Sequence, residues 1–316
     1  MRALLFTLLA LGAGAVRAEV FAIGHDEGKV ALIASDVATQ ATTTASAPGC
    51  CFIQSGTLTA DPRVDRAWFV LESGPAQTLM RFVYSGAGGT LAETLSGGYR
   101  VTHLEFDPSR ARLLALGLDD ATGDAQLAAV DPLSGAITVL GSAGADCCVL
   151  RAGVSALDAT RTEVLAVGRR DGDTQDHLLR FSTTTGVLAG AHALDPGIAV
   201  GDLVVHPTSG VVYALIHTIA DDSSRLARID LAPTFALTPI GAPTLACCFV
   251  LAGSAAIDRA RNAYLALTRE EASSDYVVRS FDLATGVATI GPALPANGLV
   301  EDFGVVLDPL FSDGYE

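Results

Sequence analysis

The feature that most constrains this chain is a repeat near one hundred residues, anchored on adjacent cysteines. Cys50-Cys51, Cys147-Cys148 and Cys247-Cys248 recur at intervals of 97 and 100 residues. Each pair leads to a glycine (Gly56, Gly153, Gly253), an aspartate (Asp61, Asp158, Asp258) and an arginine (Arg66, Arg161, Arg261). An apolar run follows: Trp68 to Leu71, Val164 to Val167 and Tyr264 to Leu267. A cysteine-free unit lies between the copies, with Leu104-Glu105-Phe106-Asp107-Pro108 echoed by Leu203 to Pro207 and by Val305 to Pro309. The basic unit is therefore half the longer period, in two alternating flavours. Each unit holds four short runs of β-type residues separated by Gly, Asp, Pro and Ser turns, the pattern of a propeller blade.

The third cysteine-free unit is cut short by the end of the chain, and its missing strands stand at the start. Val20 to Gly24 matches Leu113 to Gly117, and Lys29 to Ile33 matches Leu127 to Asp131. The last blade is expected to take its inner strand from the C-terminal end and its outer strands from the N-terminal end, which leaves no open edge. The expected fold is all-β: a six-bladed β-propeller built as three tandem double-blade repeats, one domain over residues 19–311, with 312–316 as a tail. The Phe-Asp-Pro or Leu-Asp-Pro strand, the hydrophobic strand after it and Asp-x-x-x-Gly, clearest over Val101 to Gly141, carry a resemblance. On these residues the chain resembles the secreted propellers of the YVTN and quinoprotein amine dehydrogenase β-chain type, a resemblance of architecture that implies no particular chemistry.

Residues 1–18 read as a secretory signal peptide: Arg2, an apolar run from Leu4 to Val16, and Val16 and Ala18 at the small-residue cleavage positions. The run is too short to span a bilayer, and no later stretch is long enough, so a secreted or periplasmic protein without a membrane span is expected. Loss of Arg2 and Arg17 takes the formal charge from −15 to −17. Such an acidic chain is a poor partner for nucleic acid or for an anionic membrane surface; the expected partner is a protein or a small-molecule ligand.

Strand order assigns the loops to faces. The Cys-Cys pairs lie in the connections between blades and should ring one mouth of the channel, the top face. The equivalent connections of the other blades contribute His103, Asp202 and Glu301-Asp302. The loops between second and third strands share that face, and thirteen of the 35 acids fall in five of them. Asp and Gly suit hairpin turns, which accounts for most of these acids. Asp171, Asp173 and Asp176 cluster oxygens of the kind calcium takes, without the full twelve-residue loop of an EF-hand.

Exported proteins seldom keep free thiols. Pairs on alternate blades should exceed the ~7 Å Cα limit for bonding to one another. The reading is three vicinal disulfides, Cys50-Cys51, Cys147-Cys148 and Cys247-Cys248, each closing almost no loop. Three functions follow. The first is a binding or scaffold module that presents the six cysteines, His103, Asp202 and Asp302 with the acidic loops. The second is a divalent-metal-dependent hydrolase, lactonase- or phosphotriesterase-like, at the channel mouth; it lacks the Asn that calcium-dependent propellers of that kind use. The third is thiol redox or soft-metal chemistry at the cysteines. A single Trp argues against quinone-cofactor chemistry, and no Gly-x-Ser-x-Gly elbow supports a serine hydrolase. The balance favours binding over catalysis, with no cofactor assigned beyond the calcium that the Asp171 loop would suit.

Overall fold

The protein is described here by a computed structural model covering residues 19–26, 29–36, 42–47, 52–61, 66–83, 91–95, 98–142, 144, 147–245, 249–250, 252–259, 261–269, 275–293 and 298–306. The proposed signal peptide and Cys50, Cys51, Cys247 and Cys248 lie outside these residues. Every regular element among them is a β-strand.

The strands form six antiparallel sheets. In chain order they are β1 (Glu19–Asp26), β2 (Lys29–Asp36) and β3 (Thr42–Ala47); then β4 (Phe52–Ile53), β5 (Thr59–Asp61), β6 (Arg66–Ser73), β7 (Ala76–Val83) and β8 (Leu91–Thr94). Next come β9 (Tyr99–Asp107), β10 (Arg112–Asp119), β11 (Ala125–Val130) and β12 (Ile137–Ser142), and β13 (Cys147–Asp158), β14 (Glu163–Arg170), β15 (Asp176–Ser182) and β16 (Leu188–Ala193). The fifth and sixth groups are β17 (Ile198–Val205), β18 (Val212–Thr218), β19 (Ser223–Asp230) and β20 (Ala236–Leu245), and β21 (Phe249–Val250), β22 (Ala256–Asp258), β23 (Ala263–Arg269), β24 (Tyr276–Asp282) and β25 (Ala288–Ala293). The last strand, β26 (Gly298–Val306), returns to the first group, giving the sheet order β26-β1-β2-β3. Its pairing with β1 runs from Glu19↔Val306 to Asp26↔Gly298, so the two ends of the chain complete one sheet, as the matched terminal motifs require.

Neighbouring innermost strands follow the succession β9, β13, β17, β22, β26, β5 and back to β9, which closes a ring. The sheets are blades around an axis, and the core lies in slabs between adjacent blades. One slab joins Trp68, Val70 and Leu79 to Leu104, Phe106 and Leu113; the next joins Leu114, Leu116 and Leu127 to Val164, Leu179 and Phe181. A second strand of a blade is covered on both faces, so its sequence is a continuous apolar run with no alternation. Leu113 to Leu116 and Val164 to Val167 are all at most 1 % exposed. Each Leu or Val side chain in these runs contributes on the order of 1.5–3 kcal/mol when fully buried. Outer strands face solvent, as the half-exposed Val139 and Ile290 show. The register sets Trp68 level with Leu165 and Leu265, one residue out of step with the match between apolar runs read from the sequence.

The repeated Asp and Arg positions staple blades at the face opposite the cysteines. Asp158, fully buried, accepts the amides of Thr160 and Arg161; Arg161 pairs with it and also donates 2.8 Å to the Gly210 carbonyl of the next blade. Asp258 and Arg261 pair in the same way at 2.6 Å. Asp107 pairs with Arg112, which donates to the Thr183 carbonyl in the following blade. These motif residues hold the ring together.

Candidate functional site

The segment between each Cys-Cys position and its aspartate is where the inner strand leaves its ladder. In β13, Leu150 pairs with Gly168 but Ser155 pairs with Ala166, so Arg151, Ala152, Gly153 and Val154 bulge out opposite Val167. The same break separates β4 from β5, where Ile53↔Leu71 is followed by Thr59↔Trp68, and β21 from β22, where Val250↔Thr268 is followed by Ala256↔Leu265. Each bulge carries a glycine at positive φ: Gly56 at 80°, Gly153 at 75° and Gly253 at 85°. Glycine alone takes this conformation at no steric cost.

The three bulges meet. A methyl group on Gly56 would land on the backbone of Gly153, and one on Gly153 would sit 2.8 Å from both the carbonyl carbon and the Cβ of Ala252. Ser55 Oγ donates to the Ala252 carbonyl at 3.1 Å. These bulges belong to alternate blades, so their contact places them on the axis, where they close the channel.

The remaining blades anchor this knot. β9 carries a one-residue bulge at Thr102, β17 at Gly201 and β26 at Glu301; the residues that follow are His103, Asp202 and Asp302. His103 is fully buried, and its Nε2 lies 2.7 Å from the Arg151 carbonyl in the knot. A carbonyl only accepts, so Nε2 carries the proton, and the unprotonated Nδ1 lies 2.8 Å from the Thr102 hydroxyl, which donates to the Leu116 carbonyl at 3.0 Å. Burial pushes the pKa of the ring down to about 4, so it is neutral at ordinary pH. Asp202, 1 % exposed, accepts the Leu203 amide at 2.7 Å and, through its other oxygen, the Ser254 amide at 2.6 Å. The side chain of Asp302 lies outside the described residues; its backbone pairs with Ile23. The sequence left open whether His103, Asp202 and Asp302 converge at the channel mouth. His103 and Asp202 each turn into the next blade and bind the backbone of its axial bulge.

The cysteines also differ from the sequence expectation. Cys147 and Cys148 form a disulfide with each other, at the start of β13 and level with Arg170. Both are buried among Leu116, Leu127 and Phe181, in the slab between blades rather than on a channel mouth. Val149, the next residue, is 67 % exposed. The Cys147↔Arg170 pairing puts this end of the strand beside the turn carrying Asp171 and Asp173, so in this blade the disulfide and the acidic hairpin share a face. In that turn, Asp176 faces Arg151 at 3.6 Å and Arg169 at 3.4 Å, and Asp173 faces His177 at 3.6 Å. No group of three His, Cys, Asp or Glu able to hold a metal occurs among the described residues.

Glu105 escaped the sequence reading. Two residues beyond His103 on the same strand, it accepts the Ser155 hydroxyl of the next blade at 2.8 Å, and burial raises its pKa to about 7. The recurring glycine five residues after each Cys-Cys pair was visible in the sequence; the meeting of Gly56 with Gly153 and of Gly153 with Ala252 across the ring was not.

No family model matches the sequence, and no curated protein does. Solved structures are similar in fold. A TolB-like protein from Agrobacterium tumefaciens matches with a TM-score of 0.58 and 9% identity over 93% of this chain and 99% of that one. Hydrazine synthase from Kuenenia stuttgartiensis matches with a TM-score of 0.58 and 8% identity over 82% of this chain and 75% of that one. The periplasmic gluconolactonase of Pseudomonas aeruginosa matches with a TM-score of 0.53 and 11% identity over 93% of this chain and all (100%) of that one. At such identities the likeness speaks to fold alone, and it agrees with the ring of antiparallel sheets: the chain is a β-propeller.

Proposed function

We propose that this chain is an exported six-bladed propeller acting as a binding or scaffold module, with the face that carries the cysteines and acidic hairpins as its contact surface. The carrying observation is the use made of His103 and Asp202. A hydrolytic site at the channel mouth would need these groups facing substrate or metal. Each instead hydrogen-bonds the backbone of the axial knot, so the inner strands are tied into a closed floor. By the repeat, we extend the vicinal bond of Cys147-Cys148 to Cys50-Cys51 and Cys247-Cys248, which lie outside the described residues. No helix among the described residues is long and apolar enough to cross a membrane, and export rests on the apolar run within residues 1–18.

The test sets binding against hydrolysis. The purified mature chain is assayed on a panel of lactones and phosphotriesters, with and without added calcium, beside Asp202→Ala. The expected result is no turnover above background and a loss of stability in the variant of about 3 kcal/mol, because the Ser254 amide is left buried without its acceptor. Turnover that calcium raises and that Asp202→Ala abolishes in a folded protein would establish the hydrolase instead.

A further inference from the structure

One turn of the ring departs from the staple that the repeat uses elsewhere. Where the first strand of a blade turns into its second, Asp158 Oδ1 accepts the amides of Thr160 and Arg161 at 3.0 Å each, and Asp258 Oδ1 accepts the Arg261 amide at 3.0 Å. Asp107 Oδ1 accepts the Ser109 amide at 3.1 Å. Each of these aspartates also pairs with an arginine of its own turn: Arg161, Arg261 and Arg112. Between β17 and β18 the same place is taken by His206. Its Nδ1 accepts the amides of Thr208 and Ser209, both at 3.3 Å. The turn Pro207-Thr208-Ser209-Gly210-Val211 contains no arginine. An imidazole lone pair thus does here what a carboxylate paired with arginine does in the other turns.

The His206 turn is also a joint between blades. The Gly210 amide donates to the His206 carbonyl at 2.9 Å, and the Gly210 carbonyl accepts from Arg161 of the fourth blade at 2.8 Å. A Cβ on Gly210 would lie 2.6 Å from Thr160 Oγ1, so the turn is packed against its neighbour. We propose that His206 is an acid-sensitive latch on the seam between the fourth and fifth blades: a proton taken up from solvent at Nδ1 displaces both amides, frees the turn and loosens the Gly210 carbonyl from Arg161. With Nδ1 accepting, the neutral ring carries its hydrogen on Nε2, so a proton can add only at Nδ1, where it meets two N–H donors. The charged groups around the ring among the described residues are Arg161, paired with Asp158, from the fourth blade and Arg259 from the sixth; the turn itself has none. Burial, and then Arg259, hold the His206 pKa below its ordinary 6.5. The latch is therefore fully closed above pH 6.5 and is lost as pH falls through the lower folded value. The ring is half-buried, within reach of solvent protons. A carboxylate beside an arginine keeps accepting in mild acid, whereas an imidazole does not. The flanking strands keep the blade paired, so the opening is local.

Amide hydrogen exchange of the mature chain tests this at about pH 7.5 and about pH 5, the range over which imidazole changes charge. Rates are expressed as protection factors, so the intrinsic pH dependence of exchange cancels. His206→Asp, which restores the acceptor of the other turns, is measured beside the parent. The Thr208 and Ser209 amides of the parent should lose protection about tenfold in acid, the factor that the net loss of one hydrogen bond gives. In His206→Asp they should keep it, and the Arg261 amide, held by Asp258, should keep its protection in both proteins. His103 and Glu105 titrate alike in the two and drop out of the comparison. The link to the seam is tested from the other side, because coupling is reciprocal. Arg161→Lys keeps a charge beside Asp158 but shortens the reach to Gly210, and it should lower protection at Thr208 and Ser209 severalfold at the higher pH. Equal acid losses in the parent and His206→Asp, or none in the parent, would overturn the latch. Unchanged protection of the two amides in Arg161→Lys would overturn its link to the seam.

Discussion

The glycine knot can be tested by two alanines in one blade. Gly56 and Gly74 both have positive φ, at 80° and 61°, so Gly→Ala imposes the left-handed penalty on each. That penalty is about 1–2 kcal/mol, offset by about 0.4–1 kcal/mol from the stiffer unfolded chain. Their surroundings differ. A Cβ on Gly74 meets nothing within 4 Å, whereas a Cβ on Gly56 falls on Gly153 Cα, 2.8 Å from its nitrogen and 3.1 Å from its carbonyl carbon. Backbone on the axis cannot swing aside as a side chain would, so Gly56→Ala adds an overpacking cost of about 1–3 kcal/mol. Gly74→Ala should therefore cost about 1 kcal/mol or less and Gly56→Ala about 2–4 kcal/mol. Equilibrium urea unfolding of the two variants and the parent, fitted with a common slope, measures both. Hydrogen exchange gives the local readout: the Leu104 amide, which donates to the Gly56 carbonyl at 3.2 Å, should lose protection in Gly56→Ala and keep it in Gly74→Ala. Equal midpoints for the two variants, or unchanged exchange at Leu104, would show that the three bulges do not touch.

Deleting residues 19–26 removes β1 from between β26 and β2, which breaks the sheet that joins the chain ends; the truncated protein should lose its cooperative melt, and an unchanged midpoint would refute the closure. Two titrating groups of β9, the buried His103 and the half-buried Glu105, oppose each other. His103 protonates near 6.5 unfolded but about 4 folded, so its stabilising effect is full above pH ~6.5 and is lost as pH falls toward 4. Glu105 protonates near 4.5 unfolded but about 7 folded, so stability increases as pH falls from 7 to 4.5. Each effect is on the order of 3 kcal/mol. The urea midpoint should therefore drop between pH 7 and 5 in Glu105→Gln, rise in His103→Gln and stay nearly level in the parent; three parallel profiles would contradict the assignment.

The contrast between what the sequence disclosed and what it concealed follows from the range of the interactions. Blade composition was legible because a strand sandwiched between blades must be apolar throughout, and runs such as Leu113 to Leu116 state that locally. Ring closure was legible because β1 and β2 keep the motif of strands elsewhere in the chain, so the gap at one end had a visible filler at the other. What the axial residues face was hidden for a physical reason. A buried His or Asp at a fixed repeat position has the same signature whether it faces a metal or the amide of the next blade, and only the side chain's direction separates the two. For Asp202 that direction is set by the one-residue bulge at Gly201, and for His103 by the bulge at Thr102; neither bulge has a sequence mark of its own. The knot depends on a longer range still. Gly56 meets Gly153 across 97 residues, and each glycine alone reads as an ordinary turn. The vicinal cysteines stand immediately before these bulges, and the core they enter leaves Val149 as the first exposed apolar residue of its strand. In the blade that carries Cys147 and Cys148, the inner strand therefore does two things within seven residues, Cys147 to Gly153: it turns the apolar Val149 out to solvent and sends a glycine to the axis. The cysteine-free blades of β9 and β17 supply the anchors, His103 and Asp202, so the two flavours of the repeat take complementary parts at the axis.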